Sequence, residues 1–160
     1  MYYLSNFFLF SILGHFIESF FYKNKDPGIL TGYWTPIYGI GICIIIFFNK
    51  IINKKVTNSK LKLLLTFLTG FLILSSMELM GGILIELFFK KTFCNYKNHL
   101  FPIFKYTSLD MALIWGIASC SFIYIIKPIS DKITFKINNN LVLVLLIIFL
   151  TDIFSSIFIK

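Results

Sequence analysis

Five carboxylates stand where the chain can least afford them. Glu18, Glu78, Glu86, Asp110 and Asp152, out of seven acids in all, fall inside long apolar stretches. A carboxylate at the middle of a bilayer costs roughly 2.5–3.5 kcal/mol on insertion scales, so such groups are kept for function or for helix contacts. The lysines do the opposite and sit in polar segments or at stretch ends. His15 is the only base inside these stretches. Internal ion pairs therefore cannot neutralise all five acids. Each must be protonated, held by neutral donors, set in a wet cavity, or paired with another chain.

Helical spacing sorts these groups into stripes. Ser11, Gly14, His15, Glu18 and Tyr22 follow one face in i,i+3 and i,i+4 steps. Glu78, Gly82 and Glu86 form a second stripe, with Gly81 beside it, and Asp152, Ser155 and Ser156 form a third. Small residues beside acids let helices approach closely. One reading is a polar path for protons, cations or a cationic substrate, lined by Glu18, Glu78 and Glu86, with His15 and Asp110 as further candidates. The other is interhelical hydrogen bonding that holds a bundle together. Glu78 should lie deep, and Glu18 and Asp110 nearer the interface. For Asp152, close to the C-terminal end of the sequence, the packing reading is preferred.

His15 and Glu18 lie three apart, which puts both on one helix face and raises a metal site. The only other histidine is His99, in a polar segment, and no Cys/His pair completes a site. A His–Glu pair is the expectation, with no metal and no cofactor. There is no GxSxG nucleophile motif and no GxxxxGK[ST] phosphate loop, so an enzyme or an ATP-binding chain is not expected.

The elements that position these groups follow from composition. Of 160 residues, 58% are hydrophobic and 14% charged, against about 25% charged in soluble domains. One soluble core of this length cannot hide so much apolar surface. A soluble enzyme and a disordered chain are excluded. The expected fold is an all-α, polytopic transmembrane helix bundle, one domain over 1–160, with about five spans near 2–22, 33–49, 61–89, 106–126 and 141–159. The third is longer than a bilayer needs, so it should tilt, kink near Gly81-Gly82 or project. Lys127-Pro128 should end the fourth, with 129–137 a short interfacial helix carrying Lys132 and Lys136.

Asp26-Pro27-Gly28 breaks the chain after the first span. From Gly28 through Gly32, Pro36, Tyr38 and Gly39 to Gly41, glycines, a proline and aromatics compete with helix. This is either a re-entrant or broken segment at a site, or an aromatic anchor before a helix that starts near Ile37.

The net charge of +8 rests on fifteen lysines and no arginine. They lie between apolar segments and not on one face, which speaks against nucleic acid and for anionic lipid. They divide almost evenly between the two sides, and the basic 50–60 loop tips the orientation towards an N-terminus inside. Cys43, Cys94 and Cys120 form no disulfide framework and read as small hydrophobes. The first apolar run lacks a basic lead and a cleavage site, so it reads as a retained helix.

These pieces together resemble a family of small bacterial integral membrane proteins, the putative ABC-transporter type IV (putative ABC transporter permease) family. Its Gly-Trp-x-x-Glu is Gly14-His15-Phe16-Ile17-Glu18 here, and its Gly/Pro-rich Pro-Ile-Tyr-Gly-x-Gly segment is matched within Gly28–Gly41. Its glutamate pair is Glu78 and Glu86, and its Trp-Asp-Tyr is Cys94-Asn95-Tyr96. Trp115-Gly116 and Tyr124-Ile125-Ile126-Lys127-Pro128 look like its later elements. The likeness runs from about Phe7 to Ile133. His15, Pro27, Tyr33 and Asn95 depart from the pattern, and Lys105-Tyr106 stands where the family has Gly-Arg, with Lys105 covering for the arginine. The resemblance implies a permease-like membrane component of a transport system in the bacterial plasma membrane. It also implies a homo-oligomer or a separate ATP-hydrolysing subunit, and places the functional role on Glu18, Pro36, Tyr38, Gly39, Glu78 and Glu86. An accessory protein that binds partner helices, and an intramembrane enzyme on lipid-linked substrates, are the alternatives.

Overall fold

The computed structural model describes residues 1–21, 30–90, 96, 101–103 and 105–158. The fold is all-α, with one small strand pair. Helix α1 is Tyr2–Phe21 and α2 is Pro36–Lys55; α3 (Ser59–Thr69), a π-helical turn (Gly70–Leu74) and α4 (Ser75–Phe89) make one rod. Strands β1 (Pro102–Ile103) and β2 (Thr107–Ser108) pair antiparallel, Pro102 opposite Ser108 and Ile103 opposite Thr107. A second rod joins α5 (Leu109–Ser121), a π-helical turn (Phe122–Ile126) and α6 (Lys127–Thr134), and α7 (Asn139–Phe158) follows.

Among the described residues four rods are long and apolar enough to cross a membrane: Pro36–Lys55, Ser59–Phe88, Leu109–Thr134 and Asn139–Ser156. Helix α1 is 20 residues long and carries Ser5, Asn6, Ser11, His15 and Glu18 among its apolar residues. Ser5, Asn6 and Ser11 are buried in the protein. Residues 22–29, including Gly28, lie outside the described residues, as do Cys94, Asn95 and His99.

Two expectations are corrected, and of the three options for the third rod, to tilt, kink near Gly81-Gly82 or project, the kink is not taken. That rod's irregular turn starts at Gly70, where a Cβ would come 2.6 Å from the Trp115 carbonyl oxygen. The fourth does not stop at Lys127-Pro128. Proline inside an α-helix presses its ring on the carbonyl four residues back, and the wide turn Phe122–Ile126 just before it makes that room. So 129–137 is not a separate helix: α6 continues the rod to Thr134, and Phe135-Lys136 form a turn.

The chain packs as two compact units, Met1–Cys43 with Ile129–Lys160, and Ile44–Pro128. In the first, residues of α1, the segment before α2 and α7 share a core of Phe8, Trp34, Val142 and Phe149. Phe149 takes the edges or faces of Phe7, Phe8 and Trp34 at 5.3, 5.9 and 5.7 Å. Leu145, Leu146 and Ile153 extend the same α7 stripe.

In the second unit α3 and its π turn run against α5. The contact is close because each side contributes a glycine: Phe67 lies on Gly116, and Ser119 on Gly70. The hairpin between α2 and α3 is held by Asn53 donating to Asn49 (2.9 Å), Asn49 donating to Thr66 (3.4 Å) and Asn58 capping α3. Asn58 Oδ1 accepts from the Lys60 and Leu61 amides at 2.9 and 3.3 Å.

Candidate functional site

In the second unit, helix α4 carries Glu78 in its first turn and Glu86 two turns on, with Gly82 between them. Tyr96, Lys105, Tyr106 and Thr107, which lie between α4 and α5 in the sequence, meet this face. Tyr96 Oη donates to Glu78 Oε1 at 2.7 Å. Thr107 Oγ1 and Trp115 Nε1 donate to its Oε2 at 2.8 and 3.1 Å. All three donors are neutral. An ionised carboxylate offers about four lone-pair sites, so these donors occupy most of them.

Glu86 is held differently. Lys105 Nζ reaches Oε1 at 2.5 Å, and Tyr106 Oη donates to Oε2 at 2.7 Å. The ammonium also lies 5.3 Å from the Tyr106 ring centre. The hydrogen bond from Glu86 raises the Lys105 ammonium above its usual value, and the same carboxylate raises the Tyr106 hydroxyl. Gly82 explains how Tyr106 comes so close: a Cβ there would sit 2.6 Å from the ring carbon Cδ1. The segment is fixed further by the Tyr96 amide donating to the Lys105 carbonyl at 3.0 Å and by the strand pair.

In the first unit, α1 and the start of α2 exchange small residues. Gly14 receives the Tyr38 ring, where a Cβ would be 2.5 Å from Cγ and Cδ2, and Gly39 receives Ser11 and the Phe7 carbonyl. The Thr35 amide donates to the Ser11 carbonyl at 2.9 Å. Pro36 then opens α2, a position where a missing N–H costs nothing. This places Thr35 Oγ1 3.4 Å from Glu18 Oε2, and Tyr38 approaches the same carboxylate. Gly41 is buried in the next turn.

His15 does not form the expected pair. Among the described residues no hydrogen bond joins it to Glu18, because Thr35 and Tyr38 are presented to that carboxylate instead. The imidazole meets Tyr33 edge-on at 5.4 Å, and its Nδ1 is buried without a hydrogen-bond partner among the described residues.

Asp152 organises the segment before α2. Its Oδ1 accepts from the Thr31 amide at 3.2 Å, and its Oδ2 accepts from the Gly32 amide at 2.9 Å and from Trp34 Nε1 at 2.8 Å. Non-helical backbone beside a membrane span is tolerable only when its polar groups are satisfied. Asp152 does this for Thr31 and Gly32. Gly32 is required for the approach, since a Cβ would lie 2.9 Å from Oδ2. Asp110 sits in the first turn of α5, where a carboxylate complements the helix N-terminus.

The glutamates thus fall into separate settings: Glu78 and Glu86 share one face of α4, and Glu18 belongs to the α1–α2 contact in the other unit. The donors Thr107 and Tyr106 and the loop clamp of Asp152 on Trp34 were not singled out from sequence. The signal that points to them is the excess of acids over bases inside the spans, which demands neutral donors. Among the described residues no group of three His, Cys, Asp or Glu side chains gathers to hold a metal ion.

The motif residues on these contacts match a family pattern over nearly the whole chain, residues 5–157. The chain belongs to the putative ABC-transporter type IV family. The match extends past the 7–133 stretch marked by motifs and takes in α7 with Asp152. No curated protein and no solved structure matches the chain. Within this type IV chain, Lys105 is bonded to Glu86. Family membership and four apolar rods make it a multi-pass membrane protein associated with transport.

Proposed function

We propose that this chain is a permease-like membrane component of a transport system in the bacterial plasma membrane, acting with a separate ATP-hydrolysing subunit, and that it is not itself an enzyme. The observation that carries the reading is Glu78. It is a carboxylate within a 30-residue apolar rod, and among the described residues its bonded partners Tyr96, Thr107 and Trp115 are all neutral. A proton, a cation or a basic group on a cargo that reaches this carboxylate has hydrogen bonds to displace there but no fixed counter-charge among those partners. Glu86, already joined to Lys105, would instead hold the returning segment in place. Glu18, between Thr35 and Tyr38, would serve as a second acceptor in its own unit.

A second reading has its own support. Every one of these glutamates is bonded within the chain, which suits an accessory protein whose acids hold its fold while its apolar faces meet partner helices. Affinity purification of the tagged chain from native membranes in mild detergent separates the two. A stoichiometric ATP-hydrolysing partner is the expected result. Recovery of the chain as a defined homo-oligomer without such a subunit overturns the proposal in its ATP-driven form. Recovery with a non-ATPase membrane protein supports the accessory role.

A further inference from the structure

We propose that the groove between α3 and α5 is a binding site for one anionic phospholipid, with an acyl chain in the groove and the headgroup phosphate at Lys60. This goes beyond the transport reading and does not rest on it. The groove has a volume of about 400 Å³ and is lined by Lys60, Leu63, Leu64, Phe67, Ile117, Cys120 and Ser121. Its geometry is that of an amphiphile. Lys60, Leu63, Leu64 and Phe67 follow a single stripe of α3, so the groove runs roughly 10 Å along the helix from a charged end to an apolar one. The helices are antiparallel here. The Cys120 thiol donates to the Leu63 carbonyl, and Phe67 closes the deep end by lying on Gly116. Lys60 and Ser121 therefore share the mouth.

Lys60 at the mouth, and the basic stretch it belongs to, select an anion. From Lys50 to Lys62 the chain carries Lys50, Lys54, Lys55, Lys60 and Lys62 and no acid. Asn58 fixes the α2–α3 turn, so Lys60 and Lys62 are held in the first turn of α3, which has no acid of its own. Cations at a helix N-terminus are unfavourable unless an anion meets them. Lysines just outside a span attract anionic headgroups at the membrane surface. The occupant is a single acyl chain and not a neighbouring helix, because a helix with its side chains is about 10–12 Å across and needs a longer face than this groove offers.

The test uses the full chain in phosphatidylcholine nanodiscs with a trace of phosphatidylglycerol carrying a photoactivatable diazirine on its acyl chain. Adducts are expected on 63–67 and 117–121. Unlabelled phosphatidylglycerol should compete them away about fivefold better than phosphatidylcholine of the same chains. Lys60→Gln should cut the adduct about fivefold and Lys60→Arg should keep it. Lys60 is exposed, so neither change threatens the fold. Ile117→Trp should block the groove, and competition and the Lys60 variants decide the matter if that variant does not fold. Equal competition by phosphatidylcholine, adducts spread over other apolar faces, or an adduct unchanged in Lys60→Gln overturns the proposal. So does a dimer seen by native mass spectrometry together with photocrosslinks placed at 63–67 or 117–121 that join two copies of the chain.

Discussion

Lys105 reaches back across nineteen residues of sequence to meet Glu86 at 2.5 Å. Both side chains are about a third exposed, so the pair is screened and its stabilisation is small. Lys105→Met should lower the melting temperature in detergent by a few degrees, and the loss should shrink at high salt. Lys105→Arg should retain the wild-type value, since guanidinium binds carboxylate at least as well. A melting temperature unchanged in Lys105→Met at low salt would show that the pair contributes nothing.

The same contact sets a pH dependence. Glu86 raises the Lys105 ammonium above its ordinary value of 10.5. A raised lysine contributes its full share below the unfolded value, and that share is lost as pH rises through the folded value. The difference in melting temperature between the native chain and Lys105→Met should be constant from pH 7 to pH 9, as a flat region lying at least about one unit below any lysine titration. It should vanish at strongly alkaline pH. A difference that already disappears by pH 9 contradicts the geometry.

Glu78 tests both proposed roles. Glu78→Leu leaves Tyr96, Thr107 and Trp115 without their acceptor, at about 1–3 kcal/mol for each buried group left unsatisfied. That variant should assemble poorly. Glu78→Gln keeps one oxygen acceptor and the shape, so it should fold while losing the charge. A transport role predicts that Glu78→Gln abolishes uptake or growth on the unknown cargo while the yield stays near native. An accessory role predicts full function in Glu78→Gln and loss only in Glu78→Leu. Native behaviour in both variants removes Glu78 from either account.

Much of this was legible in the residues. Apolar runs give the long rods, and Pro36 is where a helix would start. The boundaries that failed share one cause. Gly81-Gly82 looked like a break because glycine weakens a helix, yet Gly82 is spent on receiving Tyr106 and the helix stays regular. Pro128 looked like an end, and a π turn absorbs it. Both outcomes depend on what packs alongside, which periodicity along one segment does not carry. The acids were found by type and depth, but their partners were not. Tyr96, Thr107 and Trp115 come from three places in the sequence, and only the fold brings them to one carboxylate. His15 and Glu18 show the converse, since residues on one helix face need not bond when a neighbouring segment supplies better-placed donors.

Asp152 is expected to govern the segment before α2. It is the common acceptor for the Thr31 and Gly32 amides and the Trp34 indole. Hydrogen bonds to a charged group contribute about 1.5–3 kcal/mol each at best. Asp152→Ala should therefore destabilise the first unit clearly, and Asp152→Asn, which retains one oxygen, by less. Trp34 is buried against Phe8 and Phe149, so the change in emission on mutation, measured in a Trp115→Phe background that leaves Trp34 as the one tryptophan, reports this. A red shift in Asp152→Ala is the expected sign that the indole has left the core. An unshifted spectrum with native stability would mean that the apolar packing of Trp34 alone holds the segment.

Gly39 and Gly14 should differ in a way that identifies the α1–α2 contact. A methyl added at Gly39 meets the Phe7 carbonyl, which is backbone and cannot turn aside, as well as the Ser11 hydroxyl. A methyl at Gly14 meets only the Tyr38 ring, although close to its Cβ. Overpacking costs about 1–3 kcal/mol, more where backbone must move. Gly39→Ala should therefore be the more damaging change. Gly14→Ala should be partly rescued by Tyr38→Ala, which removes the ring atoms Cγ and Cδ2 that the methyl meets, while Gly39→Ala should not be. The measurement is the fraction of monodisperse protein recovered in detergent together with its melting temperature. Native recovery and melting temperature in both glycine variants would show that the helices can separate without loss. Thr35 would then have no fixed platform from which to reach Glu18.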